Sequence, residues 1–128
     1  MKQLVIYIAG PYRAATQEDI DANVQRAAAV GQELLRRGHV VVCPHTMTHN
    51  WDQGTGIADE TFLETDLVLL SRCDAICMVE GWHHSAGARD ELRAAHARGL
   101  LVFVRAADVP WAEAESLPPI KQTPRATL

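Results

Sequence analysis

The chain of 128 residues contains no apolar run near the roughly eighteen residues that a membrane-spanning helix requires. Met1 to Tyr7 also lack the basic region, apolar stretch and small-residue cleavage site of a secretory signal, because the chain enters a strand-like segment at once. A cytoplasmic location and no membrane partner are therefore expected. Positive charge is scarce: 12 Lys and Arg stand against 16 Asp and Glu, for a net charge of −4 and a pI near 5.8. Without a basic stripe the chain has no electrostatic reason to bind long nucleic acid, although a small, individually held anion stays compatible. Cysteine is limited to Cys43, Cys73 and Cys77. An odd number without framework spacing reads as buried, reduced thiols in a reducing compartment rather than as disulfides. Neither an internal repeat nor a second domain is visible.

What remains is an ordinary globular composition, 48% hydrophobic and 22% charged, at a length suited to one core. Leu4 to Ala9 is a continuous apolar run stopped by Gly10-Pro11, as a strand buried on both faces would read. Thr16, Glu18 and Asp19 introduce a segment with Ile20, Val24, Ala27, Ala28, Gly31, Leu34 and Leu35 at helical spacing, closed by Arg36-Arg37-Gly38. Val40 to Cys43 is a second strand, and Pro44 to about Ala58 reads as a long loop of the kind that often carries function. Phe62, Leu63, Leu67 and Leu70 mark a second helix. A third strand follows at Ala75 to Val79, a third helix at Ser85 to Arg98, and a fourth strand at Leu100 to Val104. Alternating strands and helices predict an α/β fold: a single doubly wound parallel sheet, flavodoxin-like or Rossmann-like, with helices on both faces. Residues 1–106 would form this domain. Residues 107–128, with Pro110, Pro118, Pro119 and Pro124, read as a draped or partly disordered tail.

Ligands of such sheets sit beyond the carboxyl ends of the strands, which gathers 10–13, 44–49 and 80–85 around one crevice. Gly10 lets backbone approach a ligand closely, with Tyr12 and Arg13 at its rim, or is simply part of an ordinary Gly-Pro turn. Asp66 falls four residues after Phe62 and four before Leu70, along the apolar face of its helix, where a carboxylate is costly unless paired or used. Ser85 is a good N-cap and Gly87 leaves the helix N-terminus open to an anion such as phosphate. Glu91 shares a face with Gly87, Ala88 and Ala95, small neighbours that leave room for a ligand or for close packing on the sheet. Asp90 points elsewhere, to solvent. Cys43, His45, His49, His83 and His84 fit no standard zinc spacing, so no metal is expected, whereas His45 or His49 could touch a substrate. Trp51 and Trp82 could stack on a base or pack against the loop, and Trp111 could lie at a subunit contact.

Taken together, Tyr7-x-x-Gly10, Asp66-Leu67, Cys73-Asp74-Ala75-Ile76 and Ser85-x-Gly87-x-x-x-Glu91-Leu92 resemble the nucleoside 2-deoxyribosyltransferase superfamily. Tyr7-Ile8-Ala9-Gly10-Pro11 and Gly81-Trp82 look most like its small bacterial and phage branch, and the resemblance spans about Leu4 to Val104. It implies Glu91 as the nucleophile at the anomeric carbon, Tyr7 as the residue that positions it, and Asp66 as the group that assists the leaving base. Where transferases of free nucleosides carry an aspartate, this chain has Ser85, as do relatives that hydrolyse nucleoside 5′-monophosphates. Arg13 resembles an arginine of the same hydrolases. A serine can donate to a phosphate that an aspartate would repel, so Gly10, Tyr12, Arg13, His45, Ser85 and Gly87 are expected to hold a nucleotide.

The expected activity is N-glycosidic cleavage of a nucleoside 5′-monophosphate, or 2-deoxyribosyl transfer, with no metal or organic cofactor. The resemblance also implies a homodimer or higher homo-oligomer. Two alternatives are a non-catalytic nucleotide-binding or signalling module on the same fold, and a metal-dependent hydrolase built on Cys43, His45 and His49. Base identity, ribose against deoxyribose, and hydrolysis against transfer are not readable from the sequence.

Overall fold

The computed structural model describes residues 1–113. Four parallel strands, β1 (Val5–Ala9), β2 (Val40–Val42), β3 (Ala75–Met78) and β4 (Leu101–Phe103), form one sheet in the order β2-β1-β3-β4. All four strands are apolar, and the two central ones are those that are buried, whereas β2 and β4 stay partly exposed at the edges. Ile6, Tyr7, Ile8 and Ala9 of β1 and all four residues of β3 are buried, with Tyr7 paired to Ile76 and Ile8 to Cys77. Apolar residues on both sides of the pleat demand a layer on each face, and the connecting helices supply it.

Helix α1 (Gln17–Arg36) covers one face. Thr16 caps it by accepting from the Asp19 N–H at 3.1 Å, Glu18 and Asp19 sit at the positive end of its dipole, and Val24, Ala27, Gly31 and Leu34 form the buried stripe. Helices α3 (Asp59–Ser71) and α4 (Ala86–Ala97) cover the other face, through Leu70 and through Ala88 and Ala95. One helix on the first face and two on the second is what right-handed crossovers require for this strand order. The fold is thus the doubly wound, three-layer arrangement expected. Its strand order reverses between β1 and β3, and the switch point opens a crevice beyond their carboxyl ends.

One local reading needs correction. The segment from Pro44 begins with a one-turn helix, α2 (Pro44–Met47), because proline suits the first helical position; only 48–58 lacks helix or strand. Helix α3 starts at Asp59, directly after that segment and one turn before its apolar stripe, so Asp59 and Glu60 form its first turn. The tail expected from 107 is docked as far as 113. A 3-10 turn at Ala106–Asp108 leads into Val109, 1% exposed within the core of the α1 face, and Ala112 N–H bonds Arg37 O at 2.8 Å. The remainder of that tail lies outside the described residues.

His39 pins this strap. It is 3% exposed; its Nδ1 accepts from the Leu4 N–H at 3.1 Å, so Nε2 carries the proton and donates to Pro110 O at 2.7 Å. Trp111, 62% exposed, carries the Arg37 guanidinium 5.5 Å from its ring centre. His39→Ala orphans the Leu4 N–H and the Pro110 carbonyl together, and we expect a loss of about 2–4 kcal/mol in urea unfolding with faster proteolysis within 105–113. An unchanged midpoint and digestion pattern would show that Val109 and the Arg37 contacts hold the strap without His39.

Candidate active site

The crevice at the switch point is a cleft of about 600 Å³. Its walls come from the end of β1 (Gly10 to Arg13), from α2 and the following turn (Pro44, His45, Thr48), from the 52–66 segment (Asp52, Asp59, Glu60, Phe62, Leu63, Asp66) and from the start of α4 (His84 to Ala88, and Glu91). Because α3 runs antiparallel to the strands, its acidic first turn lands at the same end of the sheet as the strands' carboxyl termini.

Glu91 is the most buried carboxyl of this lining. It lies on the buried stripe of α4 with Ala88 and Ala95, 9% exposed, and its Oε2 accepts from the phenol of Tyr7, which is fully buried on β1. Tyr7 therefore lies beneath the cleft rather than in its lining. Burial raises the Glu91 carboxyl to about 7; the Tyr7 hydrogen bond opposes that rise, and the charges of Asp66 and Asp90 add to it. Burial first, then the charges of Glu91 and Asp66, hold the Tyr7 phenol far above its usual range, so it stays protonated and donates. Asp66, half-buried on α3, is raised to about 6 by desolvation. Two carboxyls in one cleft thus change protonation near neutrality, as acid–base chemistry requires.

The other expected contacts divide. Ser85 caps α4, its Oγ accepting from the Ala88 N–H at 3.2 Å, which leaves the hydroxyl proton free to donate into the cleft. Gly87 borders open space: a Cβ built there meets nothing within 4 Å. The Ala86 and Gly87 N–H groups open the helix without an intrahelical acceptor. Gly10 is glycine for a packing reason, since a Cβ would stand 2.5 Å from Val79 Cβ. Tyr12 lines the cleft, with His45 edge-on to its ring at 5.4 Å. His45 is 8% exposed, and its Nε2 lies 3.0 Å from both the Gly10 and Pro11 carbonyls, so that nitrogen bears the proton. Burial lowers its pKa and keeps the ring neutral. Arg13 reaches the rim already paired, with Asp52 at 3.3 Å and with Asp59.

His49 does not join the site. Its Nε2 bonds Asp21 Oδ1 of α1 at 2.9 Å, so Cys43, His45 and His49 form no ligand set. Among the described residues no group of three or more His, Cys, Asp and Glu is arranged to hold a metal. Trp51 is 56% exposed outside the cleft lining, and Trp82 packs on the α4 face of the core. Asp90 points outward and pairs with Arg93 at 2.8 Å. The thiols are free and buried; burial pushes Cys77 to about 12 and Cys73 to about 11, which leaves both unreactive. Sequence reasoning missed Asp52, Asp59 and Glu60. The available signal was the acidic pair directly after Ala58, a helix first turn that parallel topology must deliver to the crevice.

Residues 4–105 match the model of a family described as a domain of unknown function (DUF7768), and the chain belongs to that family. The match takes in the whole sheet and every cleft residue and ends before the strap. No curated protein matches the chain.

A carboxyl whose pKa is higher in the folded state than in the unfolded one costs stability as pH rises. Below about 4.5 both states hold the Glu91 proton; between there and about 7 only the folded state does, so its stabilising contribution is lost across that window. Glu91→Gln keeps an acceptor for Tyr7 without the charge. We expect it to be about 1–3 kcal/mol more stable than wild type at pH 8 and level with it near pH 4.5, by urea unfolding at both. A difference that does not change with pH would mean that Glu91 is not desolvated.

Proposed function

We propose that this member of the DUF7768 family cleaves the N-glycosidic bond of a nucleoside 5′-monophosphate, releasing a base and a sugar phosphate. Transfer of the 2-deoxyribosyl group to a second base is the same chemistry with another acceptor. Glu91 carries the reading: a buried carboxyl, held by a buried phenol, opens into a cleft that also contains a second desolvated carboxyl and a free helix N-terminus.

In this reading ionised Glu91 attacks the anomeric carbon, with its lone pairs oriented by the Tyr7 hydroxyl. The C1′–N bond breaks with its electron pair going to the base nitrogen, which takes a proton from Asp66. Water then adds to C1′ and displaces Glu91, giving its proton to the Asp66 carboxylate and so restoring both groups. Glu91 lies five residues beyond Ala86, about 7 Å along the helix axis. That suits a sugar whose C1′ is at Glu91 and whose 5′-phosphate meets Ser85 and the Ala86 and Gly87 N–H groups. The open border at Gly87 admits water, which favours hydrolysis. A reducing, cytoplasmic setting fits three unpaired thiols. No helix among the described residues is long and apolar enough to cross a membrane.

The partner is a second copy of the chain. The last full turn of α3, Leu67 to Leu70, is apolar all round, yet Leu70 is the helix's one buried residue, and Leu63 and Val68 are 41% and 53% exposed. Such a helix is normally covered. Its first half carries Asp59, Glu60 and Glu64 and its C-cap is Arg72, so antiparallel pairing of two copies sets each Arg72 against the other's acidic half and covers the Leu63 lip of the cleft.

Two experiments follow. Wild type incubated with the common ribo- and deoxyribonucleotides should release free base by chromatography, and Glu91→Ala should lower the rate by about 10³-fold or more. Full activity in Glu91→Ala removes the reading, and tight nucleotide binding without turnover favours a binding module. Light scattering behind size exclusion should give a dimer for wild type and a monomer for Leu63→Glu with Val68→Glu; a monomeric wild type rejects the α3 interface.

A further inference from the structure

The cleft lining is unbalanced in charge. Asp52, Asp59, Glu60, Asp66 and Glu91 face it, and among the described residues Arg13 is its single lysine or arginine. Even with Asp66 and Glu91 protonated, three carboxylates oppose one guanidinium. That guanidinium is itself informative, because a planar cation is held between Asp52 and Asp59 with its centre 5.9 Å from the Tyr12 ring. A second observation concerns His45. Its Nε2–H is spent on two carbonyls, so Nδ1 is an acceptor only, on a side chain that is nine-tenths buried and lines the cleft. Nδ1 has no hydrogen-bond partner among the described residues. It is not sealed away either, since among them no solvent-inaccessible side-chain N or O lacks a partner. A free acceptor there asks for an N–H from a ligand.

We propose that the base half of the cleft takes a cationic N-heterocycle bearing an N–H donor, so that the substrate is a nucleoside 5′-phosphate with a quaternary base: a pyridinium carboxamide or an N7-alkylated guanine. This rests on the glycosidase reading and narrows its substrate class. The carboxylates attract the ring's charge, Tyr12 and Phe62 offer aromatic surface, and the amide or amino N–H meets His45 Nδ1. The chemistry is also simpler for such a base. When the C1′–N bond breaks, its electron pair cancels the positive charge on nitrogen, and the base leaves neutral without taking a proton. Asp66 is then not needed as an acid, and the proton from the attacking water passes to the carboxylate of Asp66.

The test uses matched pairs that differ in charge: nicotinamide mononucleotide against its reduced dihydronicotinamide form, and 7-methylguanosine 5′-monophosphate against guanosine 5′-monophosphate. Calorimetry on Glu91→Gln at pH 6, where both quaternary bases carry their positive charge, should show at least one cationic member binding about tenfold or more tighter than its uncharged twin. The added double change Asp52→Asn with Asp59→Asn should bring that ratio to about two or less. The pair that responds identifies a pyridinium or a purine. Binding within about twofold in both pairs overturns the proposal. So does release of base by wild type from the uncharged members as fast as from the cationic ones, an outcome that leaves the glycosidase reading intact. Cation-selective binding with no base released by wild type does the reverse, sustaining the binding preference and ending the glycosidase reading.

Discussion

The contact between the Tyr7 phenol and the Glu91 carboxyl joins the centre of the sheet to the helix that lies over it. Tyr7 sits on the innermost strand with no exposure, and Glu91 stands between Ala88 and Ala95 on a face that otherwise packs through methyl groups. A carboxyl and a phenol sealed in that layer would each be costly alone. Each makes the other tolerable: the phenol cannot ionise and so always has a proton to donate, and the carboxyl always has a lone pair to receive it. The small residues flanking Glu91 let α4 sit close enough to β1 for the contact to form. The same closeness makes Glu91 the floor of a cleft rather than part of a solvated helix face.

The cleft around that floor is built by topology. The strand order reverses next to β1, the chain leaves β1 and β3 in opposite directions, and the ends of both strands are left without a covering helix. Gly10 holds the β1 end against Val79, so the backbone turns away at the lip. Helix α3 delivers carboxylates to one wall, and the N-terminus of α4 delivers N–H groups to the other. A ligand spanning the two therefore meets acceptors on one side and donors on the other. That asymmetry is a stronger statement about what fits than the identity of any one residue.

Much of this was legible in the residues. The apolar runs of β1 and β3, the cap of Thr16 and the Ser85 start of α4 were readable because each is a local pattern with a local cause. Glu91 was readable as a candidate from its small neighbours and from the family resemblance, while its desolvation was not, since that depends on Tyr7, which is 84 positions away. Asp59 and Glu60 look like ordinary helix-start acids until the direction of α3 is known. Arg13 reads as a phosphate or base contact, and its pairing with Asp52, in a segment without periodicity, and with Asp59, at the start of α3, shows only in the fold. The strap reads as a draped or partly disordered tail, and its draping as far as 113 rests on partners that no local pattern shows: His39 on Pro110, Val109 in the core and Ala112 on Arg37. Sequence patterns report what a residue does for its own element; they are silent on pairings between distant irregular segments.

The strap has one further consequence. It brings Glu113 beside Met1, whose backbone carbonyl and amino group it bonds, at the edge where the strands begin. The cleft opens at the other edge, where the strands end. A dye or a resin attached at Met1 is therefore held a full strand length from the ligand, which makes that position a natural handle for immobilising the protein without obstructing its mouth.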